Sequence, residues 1–78
     1  MGQLKDLTLQ MARAVVNDTD QVRVEAVEGA SMIVLELSVA PDDMGRIIGK
    51  QGRVANAMRT LLRTSAAKDG KRVNLEII

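Results

Sequence analysis

A run of helical periodicity in the second half of the chain is broken by glycine at 49 and again at 52. The surrounding residues are Gly45-Arg46-Ile47-Ile48-Gly49-Lys50-Gln51-Gly52-Arg53: an apolar Ile-Ile step, two glycines bracketing a Lys-Gln pair, and a basic residue on each flank. Glycine stops a helix readily, because it takes φ > 0 without the Cβ penalty, and it lets another backbone approach closely. The break therefore divides one periodic stretch into two helices. A positively charged turn, poor in Cβ atoms and opening a helix, is a place where a phosphate can sit.

Strand patterns on both sides of the pair narrow the fold. Residues 32–39 are the most apolar run, with Ile33, Leu35, Leu37 and Val39 on one face, and suit a central strand. Val73, Leu75 and Ile77 alternate with Asn74 and Glu76 in a final strand. A strand–helix–helix–strand crossover returns parallel and right-handed. Upstream, residues 21–28 alternate Val22, Val24 and Ala26 with Arg23 and Glu25, a half-buried strand, and Glu28-Gly29-Ala30-Ser31 supplies a hairpin turn. Leu4, Leu7, Met11, Ala14 and Val15 recur at helical spacing over residues 3–16, before the polar breaker Asn17-Asp18-Thr19-Asp20.

Ala40-Pro41-Asp42-Asp43 ends the central strand, and Asp42 or Asp43 is suited to cap the short helix through Ile48. The second helix of the pair runs from Arg53 to Ala67, with Val54, Ala57, Met58, Leu61, Leu62 and Ser65 as its expected buried stripe. Arg59 and Arg63 fall one turn apart on its expected outer face. The reading is an α+β fold of order αββααβ: a three-stranded mixed sheet with three helices on one face, in one domain spanning residues 1–78.

Charge adds to the glycine signal. Residues 1–44 carry three basic and eight acidic side chains, net −5; residues 45–72 carry eight basic and one acidic, net +7. A total of +1 thus hides a dipolar chain whose basic part begins at the glycine loop, which suits a polyanionic partner. Cysteine and histidine are absent, which removes thiolate metal sites, disulfides and the commonest general base and zinc ligand. No metal or cofactor is expected. Phe, Trp and Tyr are absent too, so a nucleic-acid reader built from this chain works without aromatic stacking platforms. Gly45-Arg46-Ile47-Ile48-Gly49-Lys50 has three residues between its glycines and is followed by Gln51. A Walker A loop needs four and a Ser or Thr. With no partnered nucleophile or acid–base pair either, the expectation is no enzyme. No apolar stretch approaches the roughly 20 residues of a membrane span, and Gly2 lacks the downstream Ser or Thr of an acylation signal. The expected location is the cytoplasm.

The element order together with Ile47-Ile48-Gly49-Lys50-Gln51-Gly52-Arg53-Val54 resembles a KH domain, in the type II arrangement of the stand-alone bacterial KhpA family. The resemblance covers essentially the whole chain. It implies single-stranded RNA binding, with about four nucleotides clamped by a G-x-x-G loop. Carried over, Gly49, Lys50, Gln51 and Gly52 lie against the sugar-phosphate backbone, with Arg46 and Arg53 beside them. Ile47 and Ile48 take core or groove positions, Val73 to Ile77 form the far wall, and Lys71 and Arg72, after Lys68, belong to the variable loop. The family also implies self-association or pairing with a larger KhpB-type protein, and a role as RNA chaperone or post-transcriptional regulator. The alternative is an assembly module that pairs with such a partner and has little RNA affinity of its own.

Plainer roles stand beside these. Gly49 serves as a helix C-cap whether or not RNA binds. Arg59 and Arg63 are expected to be solvated, Lys71 and Arg72 suit an exposed edge-strand start, and Asp42 and Asp43 read as caps rather than a carboxylate pair.

Overall fold

The computed structural model describes residues 3–78; Met1 and Gly2, the latter read above for an acylation signal, lie outside the described residues. The elements are α1 (Gln3–Val15), β1 (Arg23–Glu28), β2 (Met32–Ser38), α2 (Met44–Ile48), α3 (Arg53–Ala67) and β3 (Arg72–Ile77). Short 3-10 turns at Thr19–Gln21 and Pro41–Asp43 and a kinked turn at Lys50–Gly52, with positive φ at Gln51 and Gly52, lie between them. This is the expected αββααβ order. The sheet order is β1-β2-β3, with β1 antiparallel and β3 parallel to β2.

The sheet's helix-facing side follows from strand alternation. Val24, Leu37 and Ile77 form one cross-strand row, and Ala26, Leu35 and Leu75 the next. Leu35 and Leu37 are wholly buried and join Ile47 of α2 and Leu62 of α3 in one core. The opposite side is open and carries a row of three carboxylates, Glu25–Glu36–Glu76. Like charges placed directly across strands repel. A polyanion is therefore disfavoured on the open side.

Both long helices are rotated from their expected stripes. In α1 the deeply buried positions are Thr8 and Ala12, followed by Val16; Leu4, Leu7, Met11 and Val15 are half-buried and Ala14 is exposed. Thr8 enters the core because its hydroxyl donates to the Leu4 carbonyl (2.7 Å), which meets its polar requirement inside its own helix. In α3 the buried line is Ala55, Met58, Leu62 and Ala66, whereas Ala57 and Leu61 are exposed. The helix has two apolar lines. The line with alanine at both ends faces inward, since small residues let the backbone approach β3.

Two further expectations change. The first strand starts at Arg23, because a 3-10 turn takes Gln21, and Ala26 on this edge strand stays exposed. Neither Asp42 nor Asp43 caps a helix with its side chain. Asp43 is 3% exposed and instead accepts hydrogen bonds from the backbone N–H of Asn17 (3.1 Å) and Asp18 (3.0 Å). It ties the end of α1 to the start of α2.

Candidate nucleic-acid interface

The loop's geometry comes from three residues with positive φ. Gly49 (φ 69°, ψ 177°) donates its N–H to the Gly45 carbonyl at 2.8 Å and ends α2. A Cβ at this position would lie 2.8 Å from Val54 Cγ2 and 3.0 Å from Val54 N, so only glycine fits. Gln51 (φ 59°, ψ 27°) is the non-glycine residue in the left-handed region, and Gly52 (φ 75°, ψ 16°) follows it. At Gly52 the nearest atom to a built Cβ is Asn56 Nδ2 at 3.6 Å. Its glycine is required by backbone conformation, not by space.

This turn delivers the chain into α3 with an open N-terminus. No side chain caps the helix, its first turn contains no acid, and its first residue is Arg53. Cations at a helix N-terminus oppose the macrodipole, so the arrangement is unfavourable until an anion arrives. Lys50, Gln51 and Arg53 are exposed around the opening. The Arg46 side chain is 54% exposed, with Nε 3.8 Å from Asp43 Oδ1. The two isoleucines separate, because adjacent helical residues face different ways: Ile47 is fully buried beneath the loop, and Ile48 is 44% exposed beside it. Ile47 therefore supports the loop from the core and is not available to a ligand.

The flank of α3 facing β3 departs from the outer-face expectation. Arg59 is half-buried; its Nε donates to the Leu75 carbonyl (3.3 Å) and its Nη1 to Asn56 Oδ1 (3.3 Å). Arg63 lies further along and, with Met32, Lys71, Arg72 and Val73, lines a shallow basic depression. Lys71 also pairs with Glu28 (Nζ–Oε1 3.8 Å), which draws it toward the hairpin. The loop, the Arg59 flank and the depression thus lie along one helix and one strand edge. Sequence reasoning missed Arg59, since helical periodicity cannot show that β3 lies beside that flank. Asn56, one turn before it, was the available signal.

The other flank of α3 is apolar. Met11, Ala14 and Val15 of α1 and Val54, Ala57, Met58 and Leu61 of α3 line an open groove with Arg53 at its rim. Leu61 is 55% exposed. Among the described residues, no cluster of three or more His, Cys, Asp or Glu could hold a metal ion, and no helix is long and apolar enough to cross a membrane.

The electrostatics of the supporting clamp are directional. The Asp18 and Asn17 amides hold the Asp43 carboxyl below its ordinary value of 3.8, and the Arg46 guanidinium acts in the same sense. Burial opposes them. The clamp is therefore charged at neutral pH.

The meeting of two helices at a glycine loop, set on a β-α-α-β core preceded by an α-β unit, defines a KH domain of type II. The chain belongs to the KhpA/KhpB KH-domain family, whose model matches residues 5–77. It is 49% identical over 75 residues to the RNA-binding protein KhpA of Clostridium acetobutylicum, covering 96% of this chain and 100% of that protein. It is 47% identical over 78 residues to the RNA-binding protein KhpA of Aquifex aeolicus, covering 100% of this chain and 99% of that protein. Among solved structures it resembles Era of Aquifex aeolicus bound to GDP.AlF4-, with a TM-score of 0.67 at 21% identity. That match covers 96% of this chain and 29% of the Era chain, so the chain spans under a third of Era's length and the likeness is one of fold.

Proposed function

We propose that this chain binds single-stranded RNA in the cytoplasm, with the backbone clamped by Gly49, Lys50, Gln51 and Gly52 and flanked by Arg46, Arg53 and exposed Ile48. The observation that carries the reading is the uncapped N-terminus of α3, which opens from positive-φ residues among exposed cations. Backbone amides there suit a phosphate. Lys71 and Arg72 extend the positive surface at the basic depression beside Arg63. The names of the Clostridium and Aquifex relatives support the same reading. Phosphate contacts position a strand without reading its sequence. One groove holds about four nucleotides, so a chaperone or post-transcriptional regulator of this kind gains selectivity from a second groove.

The test is fluorescence anisotropy with short unstructured RNA at two salt concentrations, comparing wild type with Lys50→Asp/Gln51→Asp. Both side chains are exposed, and aspartate tolerates the left-handed region at position 51. The fold should survive while affinity falls on the order of 100-fold. Undiminished binding by the folded variant would rule out the loop as the clamp.

A second reading, pairing through the apolar groove between α1 and α3, is supported by exposed Leu61 and its neighbours. A partner here is a second copy or a larger KhpB-type protein, the latter in keeping with the family description. Sedimentation equilibrium should give a concentration-dependent mass for wild type. Leu61→Glu, which puts a charge in the groove, should leave a folded monomer. A monomer mass for wild type at every concentration would refute self-pairing.

A further inference from the structure

We propose that the open side of the sheet is a docking surface for a basic amphipathic helix of a protein partner. The inference stands apart from the RNA-binding reading, since it concerns the face turned away from the three helices.

Strand register divides this face into rows. Glu25, Glu36 and Glu76 form one row, and Val27 and Val34 stand opposite each other in the next. Met32 lies beyond Val34 on β2. Val27 is 56% exposed and Met32 40%. A strip of carboxylates thus runs beside a strip of exposed apolar side chains, both crossing the strands.

The carboxylate row is unfavourable as it stands. Like charges placed directly across strands repel. Among the described residues the ion pairs lie elsewhere, at Arg46–Asp43 and Lys71–Glu28. Arg23, in the row on the other side of the carboxylates, donates from Nη1 to the Asp20 carbonyl (3.1 Å), which draws it to the turn. Cations from outside the chain relieve the row. A protein that brings them and also covers Val27 and Met32 gains apolar contact that a solvated ion does not.

Spacing selects a helix. Neighbouring strands lie about 4.8 Å apart, so the carboxylates recur at that interval in a line. An extended segment repeats its side chains on one face every ~6.6 Å and falls out of step with the row. On a helix, residues at i, i+4 and i+7 follow one another at about 5–6 Å. The neighbouring line, one residue on, meets the valine row. The partner is therefore a helix with Arg or Lys at i, i+4 and i+7 and apolar residues beside them. Three strands span about two turns of such a helix, so the complex is weak and sensitive to salt.

The probe is a fluorescein-labelled, alanine-based helix of about 20 residues, with arginines at i, i+4 and i+7 and leucines on the neighbouring line. Its control has the same composition with the arginines spread around the helix. In anisotropy titrations at low salt, without RNA, wild type should bind the probe at least about five-fold more tightly than the control. Glu36→Gln removes the central charge of the row and keeps the side chain's shape. It should weaken probe binding about five-fold and raise the Tm of the free protein, because a repulsion is lost. Asp69→Asn makes the same change in net charge at an exposed loop on the other side of the molecule, and should leave binding within about two-fold.

Equal binding of probe and control, or no binding of the probe by wild type, would overturn the proposal without use of a variant. A folded Glu36→Gln protein that binds as wild type does would overturn it too, as would an equal loss in Asp69→Asn, which reduces the effect to net charge. Self-association that persists in Leu61→Glu and disappears when Glu36→Gln is added would give the face to a second copy, and the proposal would fall.

Discussion

Gly49→Ala should cost about 3–5 kcal/mol of folding stability, measured by urea denaturation. Two effects combine. At φ 69°, ψ 177° the backbone lies in a region essentially reserved for glycine, which alone costs an L-residue about 1–3 kcal/mol. The new Cβ would also stand 2.8 Å from Val54 Cγ2 and 3.0 Å from Val54 N, in a place where the backbone cannot yield cheaply. Overpacking of that kind adds a further ~1–3 kcal/mol. A domain of this length has only about 4–12 kcal/mol in total, so the variant should be substantially unfolded on mild heating. Gly52→Ala is the control. Its φ is similarly positive at 75°, but the nearest atom is the end of the Asn56 side chain at 3.6 Å, so about 1–2 kcal/mol is expected. Adding Val54→Ala to Gly49→Ala should recover part of the loss, since it removes Cγ2 and leaves the backbone nitrogen. Equal losses at Gly49 and Gly52 would contradict the close approach of Val54.

Asp43→Asn should lower Tm by roughly 10 °C and flatten the acid limb of the stability curve. The carboxylate accepts one backbone N–H on each oxygen, from Asn17 and Asp18. An asparagine can accept on one oxygen only and would turn its own donors toward the other amide. The sign of the pH effect follows from the lowered pKa. In the unfolded chain the carboxyl takes up its proton more readily than in the folded one. Stability from this group is therefore fully present above the unfolded value near 4 and is lost as pH falls through the folded value. Thermal unfolding from pH 7 to pH 2.5 should show a wild-type decline below pH 4 that is smaller in Asp43→Asn. Parallel curves would mean that the two amide contacts do not favour the charged form.

The two experiments touch opposite ends of α2, and both bear on the loop. Asp43 fixes where that short helix starts, relative to the end of α1, and Gly49 fixes where it ends, against the first turn of α3. Loss of RNA binding in either variant would follow from loss of the frame. Lys50→Asp/Gln51→Asp separates binding from folding because it changes exposed side chains in an unaltered turn.

Much of this was legible in one dimension. Alternation over Ile33, Leu35, Leu37 and Val39 marks a central strand because a β-strand presents every second residue to one face, whatever lies against it. The order of the elements then leaves little choice of topology, since two helices between strands give a parallel return. Gly49, Lys50, Gln51 and Gly52 were legible because a helix break and its residue types are local matters.

What failed to show in the sequence depends on neighbours distant along the chain. Leu61 and Leu62 look alike, yet one is 55% exposed and the other wholly buried, because β3 selects one of two apolar lines on α3. Asp43 looks like a helix cap until the chain end of α1 arrives with two free amides. Arg59 looks solvated until the edge strand places a carbonyl beside it. By itself the sequence determined the element order, the glycine turn and the charge concentrated around it, because periodicity, backbone conformation and ionisation belong to residues and their near neighbours. The tertiary structure alone decided which helix face is core, which carboxylate is a clamp and which arginine meets the edge strand, because those properties arise only from groups distant along the chain, as Asn17 is from Asp43 and Arg59 from Leu75.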